Sequence, residues 1–146
     1  MTKANVSFAD TVKAYPEFKV QFEKFCEEAT TRLNKNPELP GVTFAYTAGD
    51  ALAKLHALDR TFDVSLRLQR VNNMPIGLVL VHLFGESKEP IYLFHTYFDN
   101  LGNVRAAPNG DAGLDSLFSV RYVESFTNRV LQEYFTYLSK SLPTSA

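Results

Sequence analysis

The chain has 146 residues, of which 45% are hydrophobic and 21% are charged. This composition is typical of a globular domain and excludes a disordered chain, so we expect one domain spanning residues 1–146. Fifteen basic and sixteen acidic residues give a formal net charge of −1. Because no basic stripe is present to neutralise phosphates, we expect no nucleic-acid partner.

Cysteine content and hydropathy bear on the cellular compartment. Cys26 is the only cysteine and can form no intramolecular disulfide. The first residues lead into no apolar secretion signal, and the nearly apolar stretch 74–84 is about half as long as a membrane-spanning helix. We therefore expect a cytoplasmic protein that does not enter a membrane.

An amphipathic helix is predicted at the beginning of the chain. Apolar residues recur at helical spacing from Pro16 to Asn36, and Pro16 suits the first turn of a helix. Cys26 lies on the apolar stripe, which indicates a core residue rather than a reactive thiol. Two prolines and a glycine in the segment 37–41 end this helix, and a strand is predicted over 42–47.

The segment 51–58 has two interpretations. Leu52, Leu55 and Leu58 are three residues apart, which together with a cap at Asp50 predicts a short helix. An edge strand is the alternative. We predict the helix.

Strands follow in regular succession. Residues 62–69 alternate between apolar and polar side chains, and further strands are predicted over 76–84, 91–98 and 104–106. The turn at 99–103 relies on Gly102 for positive φ. The predicted fold is therefore α+β, with an antiparallel meander of about four to five strands packed by the N-terminal helix and a long C-terminal helix.

The C-terminal helix is predicted over about 115–140. Between Tyr122 and Leu138 its apolar side chains cover about 180° of the helical wheel, which is wider than one buried face requires. Either this helix is flanked on two sides within the fold, or its second flank binds a partner.

The predicted strand register divides the sheet into two faces. Pairing of Val71 with Ile76 places Ser65 opposite His82, and pairing of Phe84 with Ile91 makes His95 a diagonal neighbour of His82. One face is apolar and forms the core: Phe62, Val64, Leu66, Leu68, Val79, Val81, Leu83, Tyr92, Phe94 and Phe98. The other face is mixed: Asp63, Ser65, Arg67, Gln69, Leu78, Leu80, His82, Phe84, Ile91, Leu93, His95 and Tyr97.

The mixed face contains the candidate binding residues, because functional pockets combine apolar walls with a few polar groups. These residues are Ser65, Arg67, His82, His95 and Tyr97. We expect no cofactor and no metal. Two catalytic alternatives remain open: a hydrolase triad of Ser65, His82 and Asp63, or a metal site in which Asp63 joins His82 and His95.

Three functions are compatible with these features. The favoured one is a non-enzymatic interaction or adaptor protein, a homodimer, which binds its partner through the mixed face or the C-terminal helix. The second is a module that grips a small apolar or aromatic ligand between that helix and the sheet. The third is a small hydrolase or metal-dependent enzyme that uses His82 and His95. A strand at 51–58 would favour the ligand module, since such a cavity needs a widely curved sheet that includes this segment.

Overall fold

The computed structural model describes residues 3–72, 74–85, 89–108 and 112–141. Within these ranges the chain forms two helices and one seven-stranded antiparallel sheet, whose strands lie side by side in chain order. The elements are α1 (Lys3–Asn34), β1 (Thr43–Tyr46), β2 (Leu52–Ala57), β3 (Arg60–Val71), β4 (Met74–Phe84), β5 (Ile91–Phe98), β6 (Asn103–Arg105), β7 (Ala112–Ser116) and α2 (Val120–Ser141). The α+β class and the antiparallel meander are confirmed, but the described sheet has more strands than the predicted four to five.

Helix α1 buries the predicted apolar stripe but is longer than predicted. The stripe faces the sheet and is almost inaccessible to solvent: Phe18, Phe22, Phe25, Cys26, Ala29 and Leu33. Pro16 lies inside the helix rather than in its first turn. Its missing N–H costs one backbone hydrogen bond, and its side chain is exposed, so the helix continues through this position.

The segment 52–57 is a strand, so the predicted helix is wrong. Its side chains alternate, with Ala53, Leu55 and Ala57 buried and the residues between them exposed. Leu58 and Asp59 adopt φ values of 54° and 59°, as a two-residue hairpin turn requires. The spacing of three leucines is misleading because the exposed Leu58 belongs to this turn and only Leu55 reaches the core.

The hairpin between β3 and β4 is tighter than predicted. Val71 pairs with Met74 rather than with Ile76, and Asn72 adopts a φ of 53°. The register therefore differs from the predicted one by two residues. Because side chains alternate with a period of two, this shift changes the cross-strand partners but keeps both faces.

A β-bulge changes the face of one important residue. The pairs of β4 and β5 change register between Val81 and His82, so that Leu93 is an extra residue on β5. Leu93 packs against the core, whereas Tyr92 is 51% exposed and turns to the mixed face beside His82. Our assignments of Tyr92 to the core and of Leu93 and Ile91 to the mixed face are therefore wrong.

Helix α2 begins at Val120, later than predicted, and residues 112–116 form β7 instead. The side chain of Ser119 caps the helix, since its hydroxyl oxygen accepts a hydrogen bond from the Tyr122 N–H at 3.1 Å. The wide apolar arc is flanked within the fold by the sheet on one side and by α1 on the other. The ring of Phe126 packs against both Phe94 of β5 and Phe25 of α1.

A close approach between β4, β5 and α1 depends on Gly77. A Cβ atom at this position would lie 2.6 Å from the Phe98 ring and 2.9 Å from the Phe18 ring, both of which are buried. We expect Gly77→Ala to lower the free energy of unfolding by about 1–3 kcal/mol because neither ring has room to move. Urea denaturation measures this change.

Gly85→Ala is the matched control, since its new Cβ would meet only Ile91, at 3.8 Å. Equal losses of stability in the two variants would contradict the packing assigned to Gly77.

Candidate functional site

The outer face of the sheet is the side of β3, β4 and β5 turned away from the helices. It carries polar and apolar side chains together: Asp63, Ser65, Arg67, Gln69, Ile76, Leu78, Leu80, His82, Phe84, Tyr92, His95 and Tyr97. Ile76 and Leu78 are buried among their neighbours, whereas Phe84 and Tyr92 are more than half exposed. The face is therefore neither a dry core nor an ordinary polar surface.

A cluster of four rings, which we call the Tyr–His cluster, occupies the β4 and β5 part of this face. It consists of His82, Tyr92, His95 and Tyr97. The Tyr92 hydroxyl is hydrogen-bonded to Nδ1 of His95, and Nε2 of His95 lies 3.0 Å from the Tyr97 hydroxyl. The His82 ring packs edge-on against Tyr92, with 5.9 Å between ring centroids. Both nitrogens of His95 are thus engaged, which holds its ring and the two tyrosines in fixed orientations.

The environment of the cluster also affects the ionisation of the Tyr92 hydroxyl. Desolvation is the main cause that raises the pKa of Tyr92 above its ordinary value of 10.0, and the nearby Tyr97 adds a smaller increase. The hydroxyl therefore remains a neutral hydrogen-bonding group across the physiological pH range.

A charged pair borders the cluster on β2 and β3. Asp63 lies opposite His82, and its Oδ1 atom is 3.6 Å from Nζ of Lys54. That oxygen is inaccessible to solvent and accepts no hydrogen bond from any described group. The Lys54 ammonium also lies over the Phe84 ring, 5.5 Å from its centroid. This edge of the outer face therefore combines a charge pair with an exposed aromatic ring.

The structure brings together three of the five predicted binding residues. His82, His95 and Tyr97 belong to the Tyr–His cluster. Ser65 lies opposite Leu80, and Arg67 lies opposite Leu78 and is exposed. Neither of them forms a hydrogen bond or an ion pair with the cluster among the described residues.

The two catalytic alternatives are not assembled. The observed register places Asp63, rather than Ser65, opposite His82, so the serine and the imidazole are diagonal neighbours without a hydrogen bond in the described part of the chain. No group of three histidine, cysteine, aspartate or glutamate side chains among the described residues is arranged to hold a metal ion. The third histidine, His56, lies on β2, where its Nδ1 is 3.1 Å from the Thr61 hydroxyl.

Sequence reasoning missed two residues of the site. The alternating pattern predicts Tyr92 in the core, because nothing in it reveals the bulge after this residue. The helix predicted over 51–58 includes Lys54, whereas a strand there places this residue on the same face as Asp63.

Comparison with known proteins finds no matching family model, no similar curated protein and no similar solved structure. Neither of the two described helices combines the length and the apolar character that crossing a membrane requires. The geometry of the outer face is therefore the basis for assigning a function.

Proposed function

We propose that this chain is a non-enzymatic interaction protein of the cytoplasm that associates through the outer face of its sheet, with a second copy of itself as the partner. The observation that carries this proposal is the Tyr–His cluster, in which hydrogen bonds fix aromatic side chains on an accessible surface. Tyrosine and other aromatic residues are enriched among the side chains that contribute most to protein–protein binding.

The fixed orientation of the rings supports strong binding. Side chains that are free in solution lose rotamer entropy when an interface orders them, at a cost of about 0.5–1.5 kcal/mol each. His95 already holds Tyr92 and Tyr97 through its two ring nitrogens. A partner surface therefore gains the contact area of these rings with a smaller entropic cost.

The outer face supports this role better than α2 does. The apolar arc of α2 is occupied by the sheet and by α1, and Phe135 is its only large aromatic side chain in the described region that is more than half exposed. On the outer face, by contrast, Phe84 and Tyr92 are 56% and 51% exposed and lie on adjacent strands.

An enclosed ligand cavity between α2 and the sheet is not favoured. The strand at 52–57 provides the wide sheet that such a module needs. However, the space beneath α2 is filled by closely packed rings, with Phe25 only 5.0 Å and Phe94 only 5.6 Å from Phe126 between centroids. A ligand would have to displace this packed core.

Sedimentation velocity at micromolar concentration tests the proposal. We expect the wild-type protein to sediment as a dimer and the double variant F84K/Y92K to have a dimer dissociation constant at least about tenfold higher, since two anchor residues are lost and two charges added. Circular dichroism should show unchanged secondary structure because both side chains are exposed.

Phe135→Lys is the matched control, because Phe135 is an equally exposed aromatic residue on α2. A monomeric wild-type protein, or a dimer dissociated by Phe135→Lys and not by F84K/Y92K, would rule out this interface.

A further inference from the structure

A second accessible feature lies at the border between β5 and α2. Strand β6 pairs with β5 only at Tyr97 and Phe98, so the edge of β5 from 91 to 96 has no neighbouring strand in the described part of the chain. A cavity of about 460 Å³, which we call the edge slot, opens there. Its lining consists of His95, Thr96, Tyr97, Val104, Arg105, Ala106, Tyr122, Ser125, Phe126 and Arg129. This volume is within the range of small-molecule sites.

The lining of the edge slot is positively charged. It contains two arginines and no aspartate or glutamate. Arg105 donates a hydrogen bond from Nη2 to Asp99 at 3.2 Å, so its charge is balanced from outside the slot. Arg129 forms no ion pair with any carboxylate of the described residues. Arg129 is therefore the cation of the slot that no described carboxylate approaches within ion-pair distance.

The guanidinium of Arg129 is held in position by the core. It lies over the ring of Phe94, with 4.4 Å between the guanidinium carbon and the ring centroid. This cation–π contact uses one face of the planar group and leaves the N–H groups at its rim available. A guanidinium presented in this way matches the two oxygens of a carboxylate.

The remaining lining supplies hydrogen-bonding hydroxyls and an apolar wall. Burial raises the pKa of Tyr122 to about 12, so this group remains a neutral hydroxyl, and it donates a hydrogen bond to the Thr96 hydroxyl at 3.1 Å. Ser125 adds a further hydroxyl, while Val104 and Phe126 form an apolar wall. The slot thus combines one cation without an ion-pair partner among the described residues, neutral hydroxyls and a surface suited to a hydrocarbon or an aromatic ring.

We infer that the edge slot binds a small organic monoanion, a carboxylate attached to an aromatic or apolar body, with the carboxylate on Arg129 and the body against the side of the slot that contains Val104. A phosphate ester fits less well, since it carries a charge of about −1.5 to −2 at neutral pH and would need a second unbalanced cation. This inference does not depend on self-association through the outer face.

Titration of the 146-residue chain with aromatic and aliphatic carboxylates, and with two analogues of benzoate that differ in charge, tests the inference. We expect benzoate, 3-phenylpropionate or octanoate to produce saturable amide shifts in 93–97 and 122–129, as measured by ¹H–¹⁵N correlation spectra. Benzamide, which has the ring of benzoate without its charge, and phenyl phosphate should both bind more weakly than benzoate.

The variant Arg129→Gln should weaken carboxylate binding by about tenfold or more, because the charge-assisted pair is lost. Arg121→Gln is the matched control, since Arg121 is an exposed arginine of the same helix that does not line the slot. Absence of saturable shifts with all three carboxylates would overturn the inference. Benzamide or phenyl phosphate binding at least as tightly as benzoate, or equal losses in the two arginine variants, would overturn it as well.

Discussion

Replacing Phe25 by alanine is expected to lower the free energy of unfolding by about 3–5 kcal/mol, as large-to-small changes of buried phenylalanine do. Phe25, on α1, is completely buried and contacts both the sheet and α2. Its ring meets those of Phe44 on β1 and of Phe126 and Tyr122 on α2, at centroid distances of 6.1, 5.0 and 6.4 Å. Removing it leaves a cavity that these rings can fill only by leaving their present packed positions.

Urea denaturation followed by circular dichroism measures this loss. Phe135→Ala is the matched control, because it removes the same side chain from a position that is 52% exposed, and we expect it to change stability by no more than about 0.5 kcal/mol. Equal effects of the two substitutions would show that the core is not centred on Phe25.

Replacing Asp99 by alanine is expected to cost about 3 kcal/mol, because one carboxylate organises the whole turn between β5 and β6. Its Oδ1 accepts hydrogen bonds from the backbone N–H groups of Leu101 and Asn103, at 3.0 and 2.9 Å. Its Oδ2 accepts them from the side chains of Asn103 and Arg105, at 3.3 and 3.2 Å. The side chain is only 15% exposed, so water cannot replace these four contacts freely.

The same carboxylate should make the stability of the protein depend on pH in the acid range. Burial alone would raise the pKa of Asp99, but the hydrogen bonds from Asn103, Leu101 and Arg105 outweigh it and hold the pKa below the ordinary value of 3.8. A carboxyl whose pKa is lower in the folded protein than in the unfolded chain stabilises the fold at pH values above its unfolded-state pKa. This stabilisation is lost as the pH falls through the folded-state pKa. We therefore expect wild-type stability to decrease below about pH 4 more steeply than that of Asp99→Asn.

Thermal melts between pH 7 and pH 2 compare the two proteins. Asp10→Ala, which removes an exposed carboxylate from α1, serves as the control and should leave both the stability at pH 7 and its acid dependence nearly unchanged. Parallel pH profiles for the wild type and Asp99→Asn would contradict the role assigned to this turn.

The amino-acid sequence alone determined the class of the fold and most of the core. Strict alternation in 62–69 and helical spacing from Phe18 to Leu33 each reflect a single buried face, and a buried face leaves a local pattern that can be read directly. Apart from Tyr92 and the partly buried Leu68, the residues predicted for the apolar face are buried in the structure. The Gly102 turn was also predictable and has the expected positive φ, 85°.

Only the tertiary structure decided which residues meet at the sites. The bulge at Leu93 moves Tyr92 to the outer face, and the hairpin at 58–59 makes 52–57 a strand that brings Lys54 to Asp63. Both features depend on pairing with neighbouring strands, which leaves no periodic mark in the sequence.

The wide apolar arc of α2 had two interpretations, and the structure chose the internal one because α1 covers the second flank. The edge slot arises from the short β6, and its cation, Arg129, comes from a helix distant in sequence. Local sequence patterns show whether a residue is buried, whereas long-range packing decides which residues it contacts.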